Sequence, residues 1–166
     1  NVKGMNVALI NGAQWNPTVV EADESRNGVA LNELTLNQGI INVAESTQTV
    51  EVSKLNGTGG TLNLSAEKTE DAFTMSSLSV EDASAMNLSV NIVGEGVNAD
   101  TLTAADLDQA AKSAVTGAGA SSVTQTQRVA EGDLRGAITQ QVAADGTVAS
   151  RSQADNTKME ALKGVT

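Results

Sequence analysis

The pattern apolar-Asn-apolar returns along the chain as Ile41-Asn42-Val43, Leu62-Asn63-Leu64 and Met86-Asn87-Leu88, spaced 21 and 24 residues apart. Trp15-Asn16 stands as an earlier and imperfect member. Each full copy follows a short alternating stretch and a turn: LNELTLNQG, TVEVSKLNGTGG and TMSSLSVEDAS. Alternation such as Leu34/Leu36 or Val50/Val52 sends every second side chain to one face, the period of a half-buried strand. A strand-turn-strand unit of this length is too short for a propeller blade. It suits one coil of a parallel β-solenoid, whose apolar face is buried only by stacking on the next coil. In residues 54–65, Gly57, Gly59 and Gly60 permit positive φ at a sharp change of direction, and the flanking leucines form inward rows. An Asn at matching places in successive coils can ladder with its neighbours, and a solvent-facing Asn near a turn accounts for the pattern equally well.

Composition narrows what such coils can contain. The chain has 166 residues, room for one domain with a real core. It carries one Trp, one Phe, no Tyr, one Pro, no Cys and no His. Burial therefore falls to Val, Leu, Ile and Ala in layers. Without His or Cys, the common nucleophile triads, zinc sites of the N/S type and disulfides are excluded. Twenty Asp and Glu against ten Lys and Arg give a net charge of −10, which argues against nucleic acid or an anionic lipid surface as partner. No apolar run is long enough for a transmembrane helix. The chain begins with Asn and has no charged, then apolar leader, so it reads as a piece of something larger.

Beyond residue 94 the pattern changes. VGEGVNAD is a loop, and TLTAADLDQAAKSAVTG is the clearest helix. Thr103 and Asp106 make a capping box, with Leu102 and Leu107 as a hydrophobic staple. Leu107, Ala110, Ala111 and Ala114 form an Ala-rich stripe suited to close packing, and Gly117 is expected as a left-handed C-cap. SSVTQTQRVAEG reads as a strand, and Asp145-Gly146 marks a hairpin over 137–152. NTKMEALKGV opens as a helix, with Thr157 and Glu160 as a second capping box. The expected fold is mainly β: coils of a right-handed parallel β-solenoid over 1–94, a small α+β cap over 95–153, and the start of a helix over 154–166.

Several motifs fail on their context. VTGAGASS, residues 115–122, resembles a dinucleotide-binding loop, but its third glycine falls at Ser122 and a helix precedes it where a strand is required. GTGG lacks the Lys-Ser/Thr of a phosphate loop and the Asp of a calcium-binding repeat. Carboxylates cluster at Asp23-Glu24, Glu70-Asp71, Glu81-Asp82 and Asp106/Asp108. Neighbours in a strand point to opposite faces, so solvated turns explain these clusters better than a catalytic pair does. Asn-x-Ser/Thr occurs at Asn56, Asn63 and Asn87, a three-residue match that carries little weight for glycosylation. No residue is assigned as catalytic, cofactor-binding or metal-ligating, no cofactor is expected, and the chain is not read as an enzyme.

The run GAQWNPTVVEADESRNGVALNELTLNQGIINVAESTQTVEVSKLNGTGGTLNLSAE resembles the last coils of a type V autotransporter passenger of the self-associating and adhesin subclass. In that family a Trp-Asn coil precedes leucine-rich strands and a Leu-x-Gly-x-Gly-Gly-x-hydrophobic-Asn-hydrophobic turn. RVAEGDLRGAITQQVAADGTVASRSQADNTKMEAL resembles the segment joining such a passenger to its outer-membrane β-barrel. NTKMEALKGV is similar to the start of the linker helix that enters the barrel pore. Residues 95–125, with their helix, depart from the plain coil pattern, and the family's caps usually carry more aromatic residues than this chain does. The resemblance implies an autochaperone segment that folds first at the bacterial cell surface after passage through the periplasm. Its implied partners are the chain's own upstream passenger coils and its downstream outer-membrane β-barrel. Glycans or sister cells would be met through the full passenger.

Two other functions follow from the same residues. A coil face rich in Asn, Thr and Ser suits a carbohydrate- or cell-binding module, although Trp15 stands nearly alone as a stacking platform. A carboxylate-dependent polysaccharide-degrading enzyme would need Glu81 or Asp82.

Overall fold

Strict alternation decides most of this structure. In the computed structural model, Val50, Val52 and Leu55 are buried while Glu51, Ser53 and Lys54 are exposed; Met86, Leu88 and Val90 are buried while Asn87 and Ser89 are exposed. The structure describes residues 6–15, 28–43, 45–46, 49–98, 100–131 and 137–153. The expected helix over NTKMEALKGV, Asn16 of the Trp-Asn pair and the Asp23-Glu24 cluster lie outside these residues.

The elements in chain order are β1 (Asn6–Ile10), β2 (Gln14–Trp15), β3 (Gly28–Asn42), β4 (Thr49–Lys68), β5 (Phe73–Met75), β6 (Ser77–Ala83), β7 (Met86–Glu95), α1 (Ala104–Ser113), β8 (Val115–Thr116), a 3-10 turn (Ala118–Ser122), β9 (Val123–Ala130), β10 (Ile138–Val142) and β11 (Val148–Gln153). The fold is mainly β, one large and mostly parallel sheet in the order β1-β3-β4-β7-β9-β10-β11. β4 pairs along its length with β3; on its other side residues 49–55 pair with β6 and residues 61–67 with β7, all parallel. β8 continues the sheet beyond β6, and β9 continues it beyond β7. Antiparallel pairing ends the series, β9 with β10 and β10 with β11.

Register builds the core by placing like on like. Ile41 lies opposite Leu62, Leu62 opposite Val90, and Trp15 precedes them opposite Ile41. Leu64, Ile92 and Val129 form a second row, and Val50, Leu78 and Val115 a third. Leu62, Leu78, Leu88 and Ile92 have no solvent-exposed surface. A one-residue slip would turn each row outward, so the parallel register is pinned by burial itself.

The glycine-rich stretch of β4 is a corner inside a continuous strand. Gly57 (φ +113°) and Gly59 (φ +117°) take the left-handed conformation, and a Cβ on Gly57 would lie 2.0 Å from the Leu36 carbonyl oxygen. Gly60 needs no positive φ; its missing Cβ leaves room for Gly39, whose carbonyl oxygen would lie 2.4 Å away. Gly117 (φ +90°) also differs from its expected role. The helix closes on Ala114 in the right-handed conformation and runs straight into β8, and Gly117 instead starts the 3-10 turn.

The repeat spacing is corrected as well. Asn63 faces Asn42 across 21 residues, but its partner on the other side is Asn91, 28 residues on. Asn87 belongs to a neighbouring row, where its Nδ2 donates to Thr124 Oγ1 at 2.8 Å. The longer step arises because β5 folds back antiparallel on the end of β4, from Ala66/Met75 to Lys68/Phe73, before β6 begins.

Leu62→Ala removes a fully buried side chain from the central row, between Ile41 and Val90. It is expected to destabilise the chain by about 2–5 kcal/mol, read as a lower urea midpoint at unchanged m-value.

Candidate functional site at the helix-capped end of the sheet

The row Ile41–Leu62–Val90 does not continue with another aliphatic residue. Its next members across the sheet are Gln127 and then Gln140, both with no exposed surface, and Gln125 beside them is 4% exposed. Buried carboxamides cost free energy unless their donors and acceptors are met. Here they are met by α1. Gln127 Nε2 donates to the Ala110 carbonyl (3.0 Å) and to Gln125 Oε1 (2.7 Å), while Gln140 Nε2 donates to the Leu107 carbonyl (2.9 Å) and to Gln127 Oε1 (2.8 Å). Arg151 Nε completes the chain by donating to Gln140 Oε1 at 2.9 Å.

The helix reaches this position because its own signals are strong. Thr103 Oγ1 accepts from Asp106 N, and Asp106 Oδ2 accepts from Thr103 N, each at 3.1 Å. Leu107, Ala110 and Ala111 form the buried stripe, and Ala114 follows with no exposed surface. Small side chains let the helix backbone approach closely enough for the glutamines to reach its carbonyls. Gln109 Nε2 adds a bond to the Phe73 carbonyl at 3.2 Å.

Both acidic residues of α1 act as fasteners. Asp106 Oδ2 meets Lys68 Nζ of β4 at 2.7 Å, with side chains 14% and 16% exposed, and Asp108 Oδ1 meets Arg151 Nη2 of β11 at 2.8 Å. Burial pushes the Asp106 carboxyl up, but the Lys68 hydrogen bond and charge together with the Thr103 contacts outweigh it and hold the group below 3.8. Asp145, in the turn between β10 and β11, is also lowered, by hydrogen bonds from Thr147. Both shifts run opposite to the raised carboxyl that glycoside hydrolysis needs in its acid.

Glu70 and Asp71 are exposed in the turn after β4, and Glu81 and Asp82 are exposed on β6. Asp82 lies opposite Lys54, which lies opposite Glu33, an alternation of charge across neighbouring strands. Among the described residues no group of three or more His, Cys, Asp or Glu side chains could hold a metal ion. A cavity of about 230 Å3 lies between the end of α1, β8 and the turn over 143–147, lined by Lys112, Val115, Thr116, Gln125 and Asp145 among others. Trp15 packs against the core and is only partly exposed, which reduces what it offers as a sugar platform.

The glutamine layer and the Arg151 contact were not read from sequence. TQTQ in β9 alternates as a strand should, but only knowing that residue 127 falls in the Val90 row makes its inward face informative.

Gln127→Leu strands the acceptor on Gln125 and a donor on Gln140 in the interior, and is expected to cost about 1–3 kcal/mol, measured by urea unfolding. Protonation supplies a second check. Because the Asp106 pKa is lowered in the folded chain, its contribution is complete above the unfolded value of 3.8 and is lost as pH falls through the folded value. Amide protection in α1 is expected to hold from neutral pH to about pH 4 and to decline below it, with Asp106→Asn flattening that decline.

Comparison of the chain with protein-family models, with curated proteins and with solved structures returned no match.

Proposed function

We propose that this chain is the C-terminal, growth-ending segment of a right-handed parallel β-solenoid, and that it serves as the autochaperone region of an autotransporter passenger. The observation that carries the reading is the conversion of a stacked aliphatic row into buried glutamines roofed by α1. Identical coils stacked without end would expose unpaired strand edges and an open apolar row. In this proposal the helix and the β10–β11 hairpin close that end, so that coils add only from the β1 side.

The parallel pairing of β3, β4, β7 and β9, at successive steps of 21, 28 and 37 residues, supports the solenoid. The lack of cysteine supports passage through a narrow pore as an unfolded chain. Under this reading the partners are the upstream passenger coils and a downstream outer-membrane β-barrel, and the location is the bacterial cell surface. The segment templates folding and catalyses no reaction.

In the full-length chain, deletion of residues 103–152 is expected to leave the barrel inserted while lowering surface display and protease resistance of the passenger. Display at wild-type level after that deletion defeats the proposal.

A further inference from the structure

The outward row beside the core is a chain of carboxamides with a direction. Asn63 Nδ2 donates to the facing Asn42 Oδ1 at 2.7 Å and Asn91 Nδ2 to the facing Asn63 Oδ1 at 2.8 Å, while Asn42 Nδ2 reaches diagonally to Oε1 of Gln14, which lies opposite Ile40, at 2.9 Å. Every bond points from a later strand to an earlier one. Opposite Asn91 on β9 stands Arg128. A guanidinium has donors and no acceptor, so a further amide on that side would find nothing to donate to. The other end is built differently. Gln14 is exposed, its oxygen is taken by Asn42, and its NH2 is the next donor in the series. Among the described residues β1 pairs only with β3, and β2 only with β3.

From this polarity we infer that the β1–β2 edge docks a preceding coil of the same polypeptide, and that this coil places an Asn or Gln opposite Gln14 to extend the ladder. The inference rests on the solenoid reading and adds the chemistry of the incoming strand. Carboxylates, hydroxyls and carboxamides all offer an acceptor there, and the bonds of the row itself join carboxamides alone. Asp or Glu would accept from Gln14 but could donate nothing onward, whereas a carboxamide accepts and donates and so repeats the bond already made between facing residues at Asn42–Asn63 and Asn63–Asn91. Each added amide bond then checks register, because a slip of one residue would set an apolar side chain in the row.

Prepending a copy of residues 43–70 to the chain sets the copied Asn63 21 residues ahead of Gln14, the separation of Asn42 from Asn63. Hydrogen exchange of the β1 amides is measured in the chain as it stands, in this extended chain, and in the extended chain with Asn63→Val in the copy. The extended chain is expected to slow exchange in β1 by about tenfold, and the Val version to lose most of that gain. Gln14→Leu in the extended chain provides a second variant outside the added segment and is expected to lose as much. Equal protection by the Asn and Val copies would overturn the ladder inference and leave the stacking proposal standing. Protection by neither copy would overturn both.

Discussion

Parallel register between β3, β4, β7 and β9 is the constraint on which everything else in this chain depends. Once Ile41, Leu62 and Val90 face one another, the residues on either side of each are fixed to the opposite face, and Asn42, Asn63 and Asn91 fall into line without further instruction. The aliphatic row provides burial and the amide row provides discrimination. Neither suffices alone: burial forbids a slip of one residue but a slip of two only exchanges one aliphatic side chain for another, while an amide so displaced loses both its bonds.

The same logic explains how the sheet ends. A stack held together by like-on-like rows stops when a row changes type. Val90 to Gln127 is that change, and the carboxamides, which could not lie against another leucine without penalty, are satisfied by carbonyls of α1. The first half of the helix is anchored on two sides, through Asp106 to β4 and through Asp108 to β11, so it ties the sheet interior to the terminal hairpin. Carboxylates that in isolation suggest catalysis are here engaged in holding a lid in place.

Features governed by neighbours in sequence were legible from the residues alone. The Thr103–Asp106 capping box, the Ala stripe of α1, the alternation of β4 and β7 and the Asp145-Gly146 turn all depend on spacings of a few residues. What depended on partners distant in sequence was not. Asn87 matched the motif better than Asn91, yet the fold-back of β5 lengthens the step and brings Asn91 to Asn63. Gly117 looked like a helix cap because the two-residue strand β8, paired with β6, cannot be seen in so short a stretch. Gln127 and Gln140 gave no local signal, because a strand with inward glutamine looks the same as one with outward glutamine until its row is known.

The glutamine layer also bears on why the cap is polar at all. Leucines at 127 and 140 would bury more apolar area against α1, and replacing both members of a buried polar contact by well-packed apolar groups is often neutral or stabilising. A leucine layer, however, would present the same surface as the preceding rows, and nothing would distinguish the roofing helix from another strand or a second molecule. Carbonyls of Leu107 and Ala110 lie at fixed heights along the helix, and only one placement of α1 brings both to the two amide groups. Stability that an apolar layer would add is thus given up for a unique placement of the helix on the sheet.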